Sequence, residues 1–156
     1  MPARPIQRLF AEYAESHRNP VNLAVHWIAV PLIYFSLIGL LQALCGRYLP
    51  MPIGPVLMSL LLLVVLVFYL RHSWALGLGM GLFTLLCLWA ARLLETHAAW
   101  PLWAISAGLF ALAWAAQFIG HGVEGRKPSF LKDLQFLLIG PAWLLAKLFR
   151  KAGIAY

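Results

Sequence analysis

Long apolar blocks, each closed off by charge, set the pattern of this chain. No Asp, Glu, Lys or Arg occurs between Arg18 and Arg47, between Arg47 and Arg71, between Arg71 and Arg92, or between Glu95 and Glu124. Each block holds the roughly 20 apolar residues that cross a hydrocarbon core about 30 Å thick as a helix. Spans are therefore predicted near residues 22–45, 53–70, 73–91 and 100–120. The first block starts too late and runs too long for a cleaved signal peptide, and no small-residue cleavage pattern follows it.

The flanks carry a different periodicity. Pro5 suits the first turn of a helix, and Ile6, Leu9, Phe10 and Tyr13 recur at helical spacing, with Arg8, Glu12 and Glu15 mostly off that stripe. Residues 5–17 are thus expected to lie on the membrane interface as an amphipathic helix. Behind the fourth block, residues 130–139 and 143–149 turn apolar again around Gly140-Pro141. Each piece is too short to cross, so residues 129–150 predict interfacial or re-entrant helices, a fifth span broken at Pro141 being the alternative. The expected fold class is all-α. It is a single polytopic membrane domain over residues 1–156, with four transmembrane helices plus the flanking interfacial ones.

Local signals punctuate this plan. Asn19-Pro20 makes a cap and first position for the first span, and Pro31 predicts a kink inside it. Pro50, Pro52, Gly54 and Pro55 form a turn, as does the short Arg71-His72. Gly77 and Gly81, four apart, permit close helix packing.

Composition agrees and adds orientation. The chain is 63% hydrophobic and 11% charged, against about 25% charged in a soluble domain. Arg4, Arg8 and Arg18 lie before the first span, and Arg126, Lys127, Lys132, Lys147, Arg150 and Lys151 after the fourth. The loops after the first and third spans offer Arg47 and Arg92. The positive-inside bias puts both ends in the cytoplasm, which requires an even number of spans. Basic residues beside spans favour contact with anionic lipid headgroups over nucleic acid, despite a net charge of +7. Cys45 and Cys87 form no CxxC pair and read as small apolar residues. Short loops and the lack of a targeting signal point to a bacterial inner membrane; the oligomeric state is not legible.

Histidine carries the candidate chemistry. This topology puts His17, His26, His72 and His121 at the cytoplasmic end and His97 alone at the other. Imidazoles gathered at one end of a bundle suit Fe, Zn or Cu. Asn22 and His26 share a helix face; so do Gln117, His121 and Glu124 if the helix survives Gly120 and Gly122. The helix break at Pro20 lets His17 fold back, with Tyr13 and Glu15 as candidate hydrogen-bond supports for the ligand rings. His72 is either an extra ligand or a solvated turn residue. Glu124 is a ligand, a supporting base, or a partner for Arg126 and Lys127.

Three separated segments resemble a known family. His17-Arg-Asn-Pro-Val-Asn22-Leu-Ala-Val-His26 with Pro31, Trp114-Ala-Ala-Gln117-Phe-Ile-Gly120-His121 with Glu124 and Pro128, and Phe136-Leu-Leu-Ile-Gly140-Pro141 are similar to motifs of one membrane family. It is the family that includes the fungal 2-hydroxy-fatty-acid dioxygenase. The resemblance implies an Fe(II)-dependent dioxygenase of α-oxidation, which turns a 2-hydroxy fatty acid and O₂ into an acid one carbon shorter. It implies His17, His26 and His121 as the metal residues and Asn22, Gln117 and Glu124 as candidate catalytic neighbours. His72 and His97 fall outside the motifs. Arg18 or Arg126 could pair with the substrate carboxylate. A di-iron hydroxylase would need about eight histidines, and a b-type haem two facing each other inside the hydrocarbon. The competing class is a non-catalytic lipid-binding or scaffold protein that keeps the fold without the metal.

Overall fold

The computed structural model describes residues 5–125 and 136–156, and six helices form among them. They are α1 (Pro5–Glu15), α2 (Pro20–Tyr48), α3 (Ile53–His72), α4 (Trp74–His97), α5 (Leu102–Glu124) and α6 (Ile139–Lys151). Four of them, α2 to α5, are long and apolar enough to cross a membrane. The expected all-α architecture with four such helices is therefore what the chain adopts.

The ends of these helices follow from single residues. Asn19 stands in extended conformation before α2 and accepts the Val21 N–H at 2.9 Å, while Pro20 fills a position where no N–H is needed. Ser73 caps α4 by accepting the Leu76 N–H at 3.3 Å. The fourth long helix does survive Gly120 and Gly122. It stops at Gly125, whose φ of 72° is left-handed and suits a residue without a side chain.

Short connections make neighbouring long helices antiparallel, so the start of α2, the end of α3, the start of α4 and the end of α5 share one end of the bundle. Contacts at three levels hold the pairings. The carboxylate of Glu124 meets the backbone before α2, Tyr34 Oη lies 2.7 Å from Thr84 Oγ1 midway, and Gln42 donates to Glu95 at 3.1 Å at the far end.

Helix α2 is the axis. In its most apolar stretch 44% of residues are buried, against 17% in α3, which makes α3 a lipid-facing element. Leu60, Val64, Leu78, Leu82 and Leu86 of α3 and α4 stand exposed, a surface suited to hydrocarbon and not to water. Between α2 and α5 the backbones come close, because Gly39 faces the fully buried Ser106 and any Cβ there would strike its side chain. Gly77 and Gly81 pack against Leu70 and Leu66 of α3. With 29 residues α2 is about 43 Å long, more than the roughly 30 Å of a hydrocarbon core, so part of it reaches the headgroup zone.

The two short helices close one end. Ile6, Phe10 and Tyr13 are the buried stripe of α1, as its spacing predicts. Helix α6, at 13 residues about 20 Å long, is too short to span and lies on α1, α2 and α4. Leu145 and Phe149 sit on Gly79, and Tyr69 Oη donates to the Leu138 carbonyl at 2.7 Å. Pro141 falls in the first turn of α6, where a missing N–H costs nothing, and does not break it. Residues 126–135, with Arg126, Lys127, Lys132 and the earlier part of the expected 129–150 segment, lie outside the described residues.

Candidate metal centre

Three rings converge where α2 begins and α5 ends. Helix α1 stops at Glu15, and the turn before Pro20 folds His17 back over the bundle, as the helix break predicts. His26 points inward from the second turn of α2, and His121 from the last turn of α5. The ring centroids are 4.2 Å (His17–His26), 5.2 Å (His17–His121) and 5.1 Å (His26–His121) apart. All three residues are buried, and one nitrogen from each lies within 4.8 Å of the other two.

The backbone sets the tautomers of two of them. A carbonyl accepts only, so His17 Nδ1 donates to Tyr13 O at 2.5 Å and His26 Nδ1 to Asn22 O at 2.9 Å. Each Nε2 is then left with its lone pair. His17 Nε2 is buried and has no hydrogen-bond partner, a condition that costs about 1–3 kcal/mol. Burial pushes the His17 pKa down to about 4, against the opposing effect of the Tyr13 carbonyl, so the ring is neutral at physiological pH.

A metal fits this donor set. Neutral imidazoles bind Fe, Zn and Cu, and the orphaned Nε2 is the lone pair a cation would satisfy. Metal–imidazole bonds of about 2.0–2.1 Å put two nitrogens on one ion at most about 4.2 Å apart, so a slight convergence of the rings suffices. Among the described residues, His17, His26 and His121 are the group of His, Cys, Asp or Glu able to hold an ion in this way.

The other predicted residues surround the triad in distinct ways. Glu124 spends both oxygens on the opposite motif: Oε1 accepts the Arg18 N–H at 3.0 Å, and Oε2 accepts the Asn19 N–H at 2.8 Å and Asn22 Nδ2 at 3.2 Å. Asn22 Nδ2 also donates to Ser16 O at 3.1 Å, so Asn22 and Glu124 together staple the His17 loop to α5. Asn22 Oδ1 lies over Gly120, where a Cβ would come within 2.5 Å of it. Gln117, with His26 and Tyr13, lines a small, partly enclosed cavity of about 20 Å³. That is room for about one water.

His72 stands outside the triad, its Nδ1 donating to Phe68 O at 2.7 Å and its ring 4.7 Å from that of Phe68. His97 is exposed at the far end, with Nδ1 beside Thr96 Oγ1 and Leu93 O. Tyr13 supports His17 through its carbonyl and by stacking at 4.1 Å, whereas Glu15 is exposed. Arg18 is exposed and touches Glu124 through its backbone, and Arg126 lies outside the described residues. Trp143 is not among the predicted site residues, yet its ring faces Tyr13 at 5.1 Å and His17 at 5.7 Å. An aromatic in the last apolar segment was its only trace.

Residues 3–152 match the family described as Mpo1-like, 2-hydroxy-palmitic acid dioxygenase Mpo1-like. The chain belongs to this family. Over 143 residues it is 32% identical to the 2-hydroxy-palmitic acid dioxygenase MPO1 of Saccharomyces cerevisiae (strain ATCC 204508 / S288c). That stretch covers 90% of this chain and 78% of the yeast protein. No solved structure matches the chain. The Mpo1-like match runs across both histidine-bearing ends and the apolar middle between them, so it takes in the whole triad.

Proposed function

We propose that this protein is an Fe(II)-dependent dioxygenase that shortens 2-hydroxy fatty acids by one carbon, working at the cytoplasmic face of a membrane. The observation that carries this is the buried His17–His26–His121 cluster, with an unpartnered nitrogen, in a chain of the Mpo1-like family. In this reading His17, His26 and His121 hold the iron, and residues 1–156 act as one membrane domain. Basic residues at both flanks favour a cytoplasmic site, and a bacterial inner membrane is the proposed address.

The reaction balances without a further reductant. A 2-hydroxy acid and O₂ give the acid one carbon shorter, CO₂ and water. The carbinol carbon rises to the carboxyl level, the old carboxyl leaves as CO₂, and the electrons lost by the two carbons reduce O₂ completely. Ferrous iron, when bound, supplies a redox-active Lewis acid with positions open to O₂ and substrate oxygens.

The chain's own residues prepare that site. Carbonyls of Tyr13 and Asn22 hold His17 and His26 as Nδ1–H tautomers and aim their Nε2 lone pairs away from the backbone. Glu124 and Asn22 fix the loop that carries His17 against the helix that carries His121. Gln117 places an amide beside His26 in the small cavity. Tyr13 stacks on the His17 ring and Trp143 packs beside it, which fixes the ring's orientation. The polar end of a fatty acid would meet these groups at the headgroup plane while its tail stays among lipid chains.

Anaerobic iron loading followed by metal analysis, then incubation with 2-hydroxyhexadecanoic acid and O₂, tests the proposal. Stoichiometric iron and release of the C15 acid are expected. Protein that binds no iron and leaves the acid intact would instead be a lipid-binding relative that keeps the fold.

A further inference from the structure

We propose that Lys147 and Arg150 of α6 bind the carboxylate of the 2-hydroxy fatty acid, in the cleft between α1 and α6 that reaches His17. The cleft encloses about 630 Å³, within the ordinary range for small-molecule sites. Phe10 and Ala11 of α1 line one side, Trp143, Lys147 and Arg150 of α6 another and residues 154–156 a third, and His17 is among the lining residues. The triad thus stands between two spaces of unequal size. His26 borders the small cavity of about 20 Å³, and His17 borders the large one.

The charges in the cleft want an anion. Lys147, Arg150 and Lys151 crowd the last turn of α6, where cations three and four residues apart repel. Among the described residues no carboxylate pairs with any of them; the ion pair there is Arg92–Glu95, at the other end of the bundle. The Lys147 ammonium instead rests over the Trp143 ring, 3.8 Å from its centre, and that ring also faces His17. Lys147 is half-buried and lines the same cleft as His17. A carboxylate at Lys147 and Arg150 would put the neighbouring 2-hydroxyl carbon on the side of the triad, while apolar α1 side chains meet the first methylenes. Arg150, exposed at the mouth, would meet the acid first, and Lys147 would hold it deeper.

This site presupposes the proposed oxygenase, but its test does not depend on turnover. Protein in nanodiscs of zwitterionic lipid, held without O₂, is titrated with 2-hydroxyhexadecanoate and with its methyl ester. Wild type should bind the acid more tightly than the ester. Lys147→Met and Arg150→Ala should each weaken the acid by about 10-fold or more and leave the ester unchanged. Lys151→Ala, outside the cleft, should change neither. Lys147→Met keeps the apolar stem on Trp143, and an unaltered metal content shows that the variants fold. Equal affinity for acid and ester would overturn the proposal. So would variants that bind the acid normally and lose only association with anionic phospholipid vesicles, which would make the cations a headgroup anchor. Lys147-dependent binding without any C15 product would refute the reaction and keep the site; C15 product with normal KM in both variants would do the reverse.

Discussion

The two ends of the bundle use the same residue types in opposite ways. At one end Glu95 pairs with Arg92 at 2.8 Å, three residues before it, and accepts one bond from Gln42 of α2 at 3.1 Å, while His97 bonds to its own helix and to Thr96; these four α4 residues are exposed. At the other, Glu124 reaches backbone N–H groups more than a hundred residues away, and three histidines are buried against each other. Exposed i,i+3 pairs contribute about 0–1 kcal/mol and any helix surface can form them. The long-range set needs α1, α2 and α5 in one arrangement. It also leaves His17 Nε2 without a protein partner, at a cost to stability that points to use by a ligand. The exposed end is held by surface bonds that water could replace, and the buried end by histidines and a carboxylate that only the folded bundle brings together.

The contrast can be broken from its strongest point downward. Replacing His17, His26 or His121 by Ala should remove bound iron and lower dioxygenase activity by more than the roughly 10–100-fold that outer partners of a metal site command. His97→Ala should leave iron content and turnover as they are. Metal analysis and C15 acid yield on the same preparations decide this, and a fully active His121→Ala would end the triad as the centre.

Glu124→Gln comes next. It keeps the shape but gives up charge-assisted bonds to Arg18, Asn19 and Asn22, so iron affinity should fall about 10-fold and stability by about 1 kcal/mol, since the carboxylate is only partly covered. Glu95→Gln should change neither quantity measurably. Iron titrations and denaturation midpoints of the two variants make the comparison directly.

Glycines sharpen it further. Gly120→Ala would force Asn22 off its bonds to Ser16 and Glu124, an overpacking effect of about 1–3 kcal/mol with loosened iron. Gly122→Ala, with nothing within 4 Å, should be neutral or gain about 0.5–1 kcal/mol from helix propensity. If both alanines behave alike, the Asn22 staple is not holding the site.

The smallest effect is with pH. The His17 pKa is lowered in the folded protein, from 6.5 to about 4, so between these values the unfolded chain takes up a proton that the buried ring does not. Metal-free protein should therefore lose stability as pH falls through that window. Thermal midpoints of wild type and His17→Ala should draw together from pH 6.5 towards 4; parallel curves would show that His17 does not titrate there.

Much of this was legible in the residues, and the limits have physical causes. Apolar block length fixes where helices can span, and even parity brings His17, His26 and His121 to one end before any contact is known. The role of Glu124 was not legible, because its partners are backbone N–H groups, which every residue but proline carries. Glu15 and Tyr13 looked equally able to support the ligand rings, yet only Tyr13 lies on the buried stripe of α1. His72 shares the right end of the bundle, but its Nδ1 goes to its own helix at Phe68. Trp143 and Lys147 become part of the picture only through the docking of α6, which the pattern of a 13-residue helix does not set.

The bonds from Glu124 to Arg18 and Asn19 have a consequence for biogenesis. During synthesis the first half of the centre leaves the ribosome about a hundred residues ahead of the second. A nascent chain that has inserted only α2 to α4 carries two of the three clustered histidines, His17 and His26, and a loop with no α5 to close against. If the cluster holds the proposed ion, that ion enters an inserted bundle and not a growing chain.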